Sequence, residues 1–280
     1  MSALTYQATP QWSSFLTDFG PWALVTGASD GIGLEACRQL AARGLNLVLV
    51  ARRQDRLDDL ANELDVKHGV RCRVIVKDLS LHGAMAELDN QTQELDIGLV
   101  VAAAGFGSIG NLHDQALDSE LEMVQVNVCA TLEASYLFGR RLAKRGGGGL
   151  VLFSSVVAFQ GVPGSANYAA TKAYVQSLAE ALHTEFAPSG VRVIACAPGP
   201  VDTGFAARAG MRMGKALTPE QVVSPIWDAL EAHHRTVRPG WFSKLLGWSL
   251  STLPRAGRIL VLTKVMQGMT PRHVGAVGRV

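Results

Sequence analysis

Residues 22–33 (Trp-Ala-Leu-Val-Thr-Gly-Ala-Ser-Asp-Gly-Ile-Gly) constrain the fold more than any other stretch of the chain. An apolar run ends at Thr26, glycines follow at 27, 31 and 33, and a helical pattern (Leu34, Ala36, Leu40) opens directly behind them and stops at Gly44. So short an apolar run reads as a buried strand, and its direct passage into a helix predicts a strand–turn–helix unit. Glycine permits the turn, and it also lets main-chain N–H groups approach a bound anion at the positive end of the helix. A plain tight turn would need glycine too; the position between strand and helix favours the anion site.

The unit then repeats. Strands are predicted over 45–50, 71–76, 98–103, 150–153 and 191–196, with a short edge strand at 236–238. Helices are predicted at about 54–67, 82–94 and 119–144, and another carries Tyr168 and Lys172 up to the stop at Pro188-Ser189-Gly190. A last helix starts on Thr218 as N-cap with Pro219 in its first turn and ends near His234. Alternation at these lengths predicts an α/β fold, a doubly wound Rossmann-type parallel sheet of about seven strands flanked by helices. The expected division is an N-terminal arm (1–20), a dinucleotide-binding catalytic domain (21–240) and a small, basic, helical C-terminal extension (241–280).

Composition bears on partners. Hydrophobic residues make up 48% of the 280 positions and charged residues 18%, so a sizeable core is available and disorder is not expected. The net charge of +2 hides an asymmetry: residues 232–280 carry eight Lys or Arg and no Asp or Glu, while the remainder is net negative. Such a tail suits an anionic partner, here a membrane surface rather than nucleic acid. Cys37, Cys72, Cys129 and Cys196 are widely spaced with no C-x-x-C, which predicts reduced thiols and a cytoplasmic protein without a metal site. His233 and His234 lack a partner cluster and read as surface residues. Neither a signal peptide nor a membrane span is evident; the nearest apolar region, 245–266, is cut by Pro254, Arg255 and Arg258.

The chemistry gathers around residues 150–176. The strand over 150–153 ends in Ser154 and Ser155, and a loop with Gly161, Pro163 and Gly164 leads to a helix carrying Tyr168 and Lys172. Residues at i and i+4 share a helix face, so phenol and ammonium can meet one spot. A nearby ammonium is expected to lower the Tyr168 pKa from about 10 towards the range of a proton donor. Asn127 falls inside a predicted helix, where Asn is unfavourable unless its amide has a partner. The small residues Ala102 to Gly105 end the fourth strand and leave room for a ligand. At the end of the second strand stand Arg52 and Arg53 with no acid. An acid there would suit the ribose 2′-OH of NAD; guanidinium forks suit a 2′-phosphate, so NADP(H) is expected over NAD(H), unless both arginines are merely solvated at a helix start.

Together these motifs resemble the classical short-chain dehydrogenase/reductase family, over residues 22–240. Gly27, Ser29, Asp30, Gly31, Ile32 and Gly33 look like its cofactor turn, Asp78 with Leu79 like its adenine-binding pair, and Pro198, Gly199, Val201 and Thr203 like its nicotinamide-side loop. Asn127, Ser155, Tyr168 and Lys172 fall where its catalytic tetrad would stand. The resemblance implies hydride transfer between a nicotinamide and a carbonyl or secondary alcohol, with Tyr168 as general acid/base and Ser155 bonded to the same oxygen. Lys172 would tune Tyr168 and hold the nicotinamide ribose, and Asn127 would hold a water. It also implies a homodimer or homotetramer. One departure is plain: the family usually has Asn-Asn-Ala-Gly where this chain has Ala102-Ala103-Ala104-Gly105, which puts cofactor affinity in question.

Phe106, Phe159, Val162, Phe205, Met211 and Met213 are expected to line an apolar substrate pocket, and residues 204–217 to form a mobile cover. The match beyond residue 240 narrows to bacterial-type members with a C-terminal extension. There Trp241, Phe242, Leu245, Leu246, Trp248 and Leu250, then residues 259–262, alternate with basic residues. That pattern suits packing against the domain or a second subunit, or an interfacial membrane helix. A non-catalytic dinucleotide sensor and a membrane-peripheral scaffold remain alternative readings of the same fold.

Overall fold

The computed structural model describes residues 13–204, 216–240 and 254–269. In chain order the elements are α1 (Ser13–Phe19), β1 (Trp22–Thr26), α2 (Gly31–Ala42), β2 (Asn46–Ala51), α3 (Gln54–His68), β3 (Cys72–Val76), α4 (Ala84–Asn90) and β4 (Ile97–Ala102). Then come α5 (Leu117–Val124), α6 (Ala130–Arg145), β5 (Gly148–Phe153), α7 (Ala166–Phe186), β6 (Val191–Cys196), α8 (Pro219–Glu231), β7 (Thr236–Val237) and α9 (Arg255–Met269). The seven strands form one sheet in the order β3-β2-β1-β4-β5-β6-β7, and every pairing is parallel. Strand order reverses between β1 and β4, so a crevice opens at the carboxyl ends of those strands.

The central strands β1, β4 and β5 are buried along their length because both faces of the sheet are covered. Val25, Leu49, Val101 and Val151 point to one side, where Leu40 of α2, Leu60 of α3 and Trp227 of α8 meet them. Leu24, Val48, Val100 and Leu150 point to the other, against Met85 of α4, Phe138 of α6 and Val175 of α7. The first layer also takes Phe15 and Phe19 from α1, which lie fully buried, with Phe15 edge-on to Trp227 at 6.0 Å.

Several boundaries differ from the sequence expectation for local reasons. The helix expected over 119–144 is two helices joined by a π turn at Gln125–Cys129, which holds Asn127. The helix expected over 82–94 contracts to α4 behind Gly83, whose φ of 79° is left-handed. β5 begins two residues early, since Gly148 and Gly149 pair with β6 and lie against β4, where a Cβ at Gly148 would come 2.5 Å from the Gly98 carbonyl oxygen. The start of α8 is as expected: Thr218 accepts from the Gln221 N–H while Gln221 bonds back to the Thr218 N–H.

In α9, Leu260 and Val261 are exposed, and Ile259 approaches the loop at Gly161. Among the described residues no helix is long and apolar enough to cross a membrane. Phe205, Met211 and Met213, most of the expected cover and the aromatic residues of the extension between 241 and 250 lie outside the described residues.

Candidate active site

A cleft of about 680 Å³ opens at the carboxyl ends of the strands. Its floor is the β1–α2 turn (Gly27, Ser29, Asp30, Gly31, Ile32, Gly33), with Arg52 and Arg53 from the end of β2 and Asp78 and Leu79 from the end of β3. The loop after β4 adds Ala104 and Gly105, and the loop after β6 adds Pro198, Gly199, Val201 and Thr203. Ser155, Tyr168 and Lys172 complete one wall. Asn127 alone of the expected site residues stands behind this surface, at the back of Gly105.

The glycines are required by contact as well as by conformation. Gly27 has φ +70°, and a Cβ there would sit 2.9 Å from the Ala104 nitrogen; Gly31 has φ +54°, and a Cβ there would sit 2.8 Å from the Thr203 methyl. Ala104 N–H donates to Thr26 Oγ1 at 3.1 Å, so a strand-end hydroxyl ties β1 to the loop after β4 where the family's usual asparagine is missing. Asp30 stands at the N-cap of α2 but makes no side-chain cap bond, which leaves the first-turn N–H groups to the cleft.

On the reactive wall, Lys172 Nζ donates to the Phe153 carbonyl at 2.8 Å and lies 5.8 Å from the centroid of the Tyr168 ring. Ser155 hydrogen-bonds the Tyr168 phenol, and its Oγ accepts from the Val157 N–H. Burial pushes the Tyr168 phenol up to about 12, with the Ser155 bond pulling the other way, so the expected lowering by Lys172 does not occur. The same burial drives Lys172 down to about 8.

Asn127 is 1% exposed and fully engaged. Its Oδ1 accepts from the Phe106 N–H at 3.1 Å, and its Nδ2 donates to the Phe106 carbonyl at 2.9 Å and to Thr171 Oγ1 at 3.1 Å. Asn127 sits within the π turn, a local helix form frequent at functional sites. Through these bonds Asn127 pins the loop after β4 to α7.

Of the expected pocket residues, Phe106 lines the cleft, joined by Ile109, Val156 and Val157. Phe159 and Val162 do not. Phe159 stacks beneath Arg238 at 4.5 Å, and Val162 is buried in the loop below. Sequence reasoning also missed a carboxylate. Glu120, 5% exposed, accepts from Ser108 Oγ and from Asn167 Nδ2, each at 2.7 Å, and Ser165 Oγ donates to the Ser108 carbonyl at 3.1 Å. Ser108 and Ser165 both line the cleft. Nothing local marks these contacts, which span 12 to 57 residues of sequence.

The family model for short chain dehydrogenase matches residues 21–213. The chain belongs to the short-chain dehydrogenase family. It is 31% identical over 221 residues to a 7beta-hydroxysteroid dehydrogenase of Collinsella aerofaciens, covering 76% of this chain and 83% of that one. It is 32% identical over 273 residues to a very-long-chain 3-oxoacyl-CoA reductase of Pyrenophora tritici-repentis, covering 91% and 78%. A solved short-chain dehydrogenase from Sphingobium yanoikuyae in complex with NADPH superposes with a TM-score of 0.74 at 29% identity, covering 93% of this chain and all of that one. As a short-chain dehydrogenase, the protein is an oxidoreductase of the CH–OH/C=O couple.

The residues of this short-chain dehydrogenase fit a nicotinamide dinucleotide. The turn at Gly27 and Gly31 is a cradle that any side chain would fill, the start of α2 offers uncapped N–H groups, and two guanidiniums stand at the end of β2.

Proposed function

We propose that the protein is an NADP(H)-dependent carbonyl reductase for bulky, apolar ketones, with residues 21–240 as its catalytic unit. The observation that carries this reading is the convergence of the Ser155–Tyr168–Lys172 wall and the glycine cradle on one cleft.

The backbone of Gly27, Ser29, Gly31, Ile32 and Gly33, with Asp30 beside it, would receive the pyrophosphate. Arg52 and Arg53 would receive a 2′-phosphate, and Asp78 and Leu79 the adenine. Ala104 and Gly105 would border the nicotinamide ribose, held by Tyr168 and Lys172. Pro198, Gly199, Val201 and Thr203 would face the nicotinamide. When bound, the dinucleotide supplies or accepts the hydride.

Tyr168 then donates its proton to the carbonyl oxygen as charge develops there, and Ser155 holds the same oxygen. A phenol held at about 12 is protonated at neutral pH, which suits reduction, whereas oxidation would need its conjugate base. Lys172, charged below about 8, stabilises the phenolate that the transfer leaves behind.

The apolar wall formed by Phe106, Ile109, Val156 and Val157, together with the steroid and 3-oxoacyl substrates named for the relatives, supports a large hydrophobic ketone. A second copy of the chain is the proposed partner: Leu117 and Leu121 on α5 and Leu132 and Tyr136 on α6 leave an apolar stripe in solvent.

The test is NADPH oxidation by wild type and Tyr168→Phe with 7-oxosteroids and long-chain 3-oxoacyl thioesters. Turnover in wild type with a loss of ~10³-fold in the variant is expected. Full turnover by Tyr168→Phe would overturn the assignment.

A further inference from the structure

At the end of β2 every cation already faces an anion. Arg52 Nη1 lies 3.4 Å from Glu122 Oε1 and 3.8 Å from Asp78 Oδ2, and Arg53 Nη2 lies 3.5 Å from Asp30 Oδ2. All five side chains border the cleft. Lys77, on the same rim, is turned to Glu87 at 2.6 Å.

The three carboxylates are not equivalent. Asp78 has a second duty, since its Oδ1 accepts from both the N–H and the hydroxyl of Ser80. Asp30 occupies the N-cap of α2. Glu122 arrives from α5, 70 residues along the chain from Arg52, with its side chain 40% exposed. Neither packing nor helix capping calls for a carboxylate at that position.

We propose that Glu122 is a specificity-determining residue for the cofactor: it competes for Arg52 and holds the preference for a 2′-phosphorylated dinucleotide below what the two arginines alone would set. This rests on the reading of Arg52 as a 2′-phosphate ligand. A dianion taken by Arg52 must displace or stand beside a carboxylate that reaches the same guanidinium nitrogen, so Glu122 opposes it both by occupying the donor and by like-charge repulsion. A dinucleotide with a bare 2′-hydroxyl meets no such opposition. The neutral amide of glutamine keeps the shape and removes both effects. The groups are partly solvated, so the effect is a modest factor that salt weakens.

The experiment is a titration of the full chain with NADPH and with NADH, followed by cofactor fluorescence, for wild type, Glu122→Gln, Arg52→Ala and the double variant. In Glu122→Gln, NADPH should bind roughly 5–10-fold tighter and NADH within about twofold of wild type, with the gain shrinking at about 0.5 M salt. In the Arg52→Ala background most of that gain should vanish. Unchanged NADPH affinity in Glu122→Gln, or an equal change for both cofactors, overturns the proposal. If Arg52→Ala itself leaves NADPH binding intact, the 2′-phosphate reading fails and this proposal falls with it. Weakened NADPH binding in Arg52→Ala beside an inert Glu122→Gln sinks the proposal alone.

Discussion

Lys172 Nζ stands over the face of the Tyr168 ring, 5.8 Å from its centroid, while its hydrogen bond goes to the Phe153 carbonyl at the end of β5. The lysine is thus fixed by the sheet, and one desolvated pocket moves the two pKa values in opposite senses, tyrosine up to about 12 and lysine down to about 8. Both shifts favour the neutral forms.

A pH–rate profile should record the lysine first. Tyr168 stays protonated across the accessible range, so kcat/KM for ketone reduction should be level below pH 7 and fall above about 8 as the ammonium is lost. Steady-state kinetics from pH 6 to 10 on wild type and Lys172→Arg would check it; the limb near 8 should be missing in the arginine variant, whose charge does not titrate there. A wild-type profile level to pH 9.5 would contradict the assignment.

Stability should show the same lysine with a definite sign. Its folded pKa of about 8 lies below lysine's ordinary 10.5, so between those values the unfolded chain binds more protons than the folded one. Unfolding free energy therefore rises with pH through that window, by at most about 3 kcal/mol from this group, and the cost is fully present below pH 8. Urea melts at pH 7.5 and 10 should show that rise in wild type relative to Lys172→Met, which has nothing to titrate there.

Glu120 should matter through what it holds. Glu120→Ala removes the carboxylate that accepts from Ser108 Oγ and leaves Asn167 Nδ2 only its bond to the main-chain carbonyl of residue 120, at a cost of about 1–3 kcal/mol. Because Asn167 is the neighbour of Tyr168 in the first turn of α7, turnover should fall along with the melting temperature. Glu120→Gln, whose amide oxygen can accept from Asn167 Nδ2 while its NH2 donates to the Ser108 hydroxyl oxygen, should recover part of each. Equal turnover in all three proteins would show that the clamp does not reach the reactive wall.

The apolar stripe on α5 and α6 should be covered in solution. Leu117 is 70% exposed, Leu121 56% and Tyr136 58%. Sedimentation at micromolar concentration should find dimers or tetramers for wild type and monomers for a Leu121→Asp, Tyr136→Asp variant. A monomeric wild type would remove the proposed partner.

How much of this could be read beforehand follows from where each signal resides. Strands buried on both faces announce themselves as apolar runs, and the glycines that begin α2 act within a few residues, so the doubly wound sheet was legible. Asn127 was recognisable as an unusual helix residue, yet the break it sits in was not, because its partner Phe106 lies 21 residues away. Phe159 and Val162 looked like pocket lining because they are apolar and close in sequence to Ser155, but Arg238 from β7's far end claims one and the loop interior the other. The spacing of Tyr168 and Lys172 gave a shared helix face; it carried no information about desolvation, which depends on every element packed around them. The pairing of Arg52 with Glu122 spans 70 residues and left no local trace.

Helix α1 has a practical consequence. The family match begins at residue 21, after α1 has ended. Yet Phe15 and Phe19 are fully sequestered, Arg43 rests between Phe15 and Trp227, and Arg145 clasps the Gly20 carbonyl at 2.6 Å. A gene fragment trimmed to the family boundary would strip a wedge from beneath the sheet and bare the indole of Trp227 to water. Two lost phenylalanines forfeit about 3–6 kcal/mol of burial, a large share of the ~5–15 kcal/mol that keeps an ordinary domain folded. For this chain the inherited homology limits and the physical folding unit do not coincide, and the shorter fragment is the one that should precipitate.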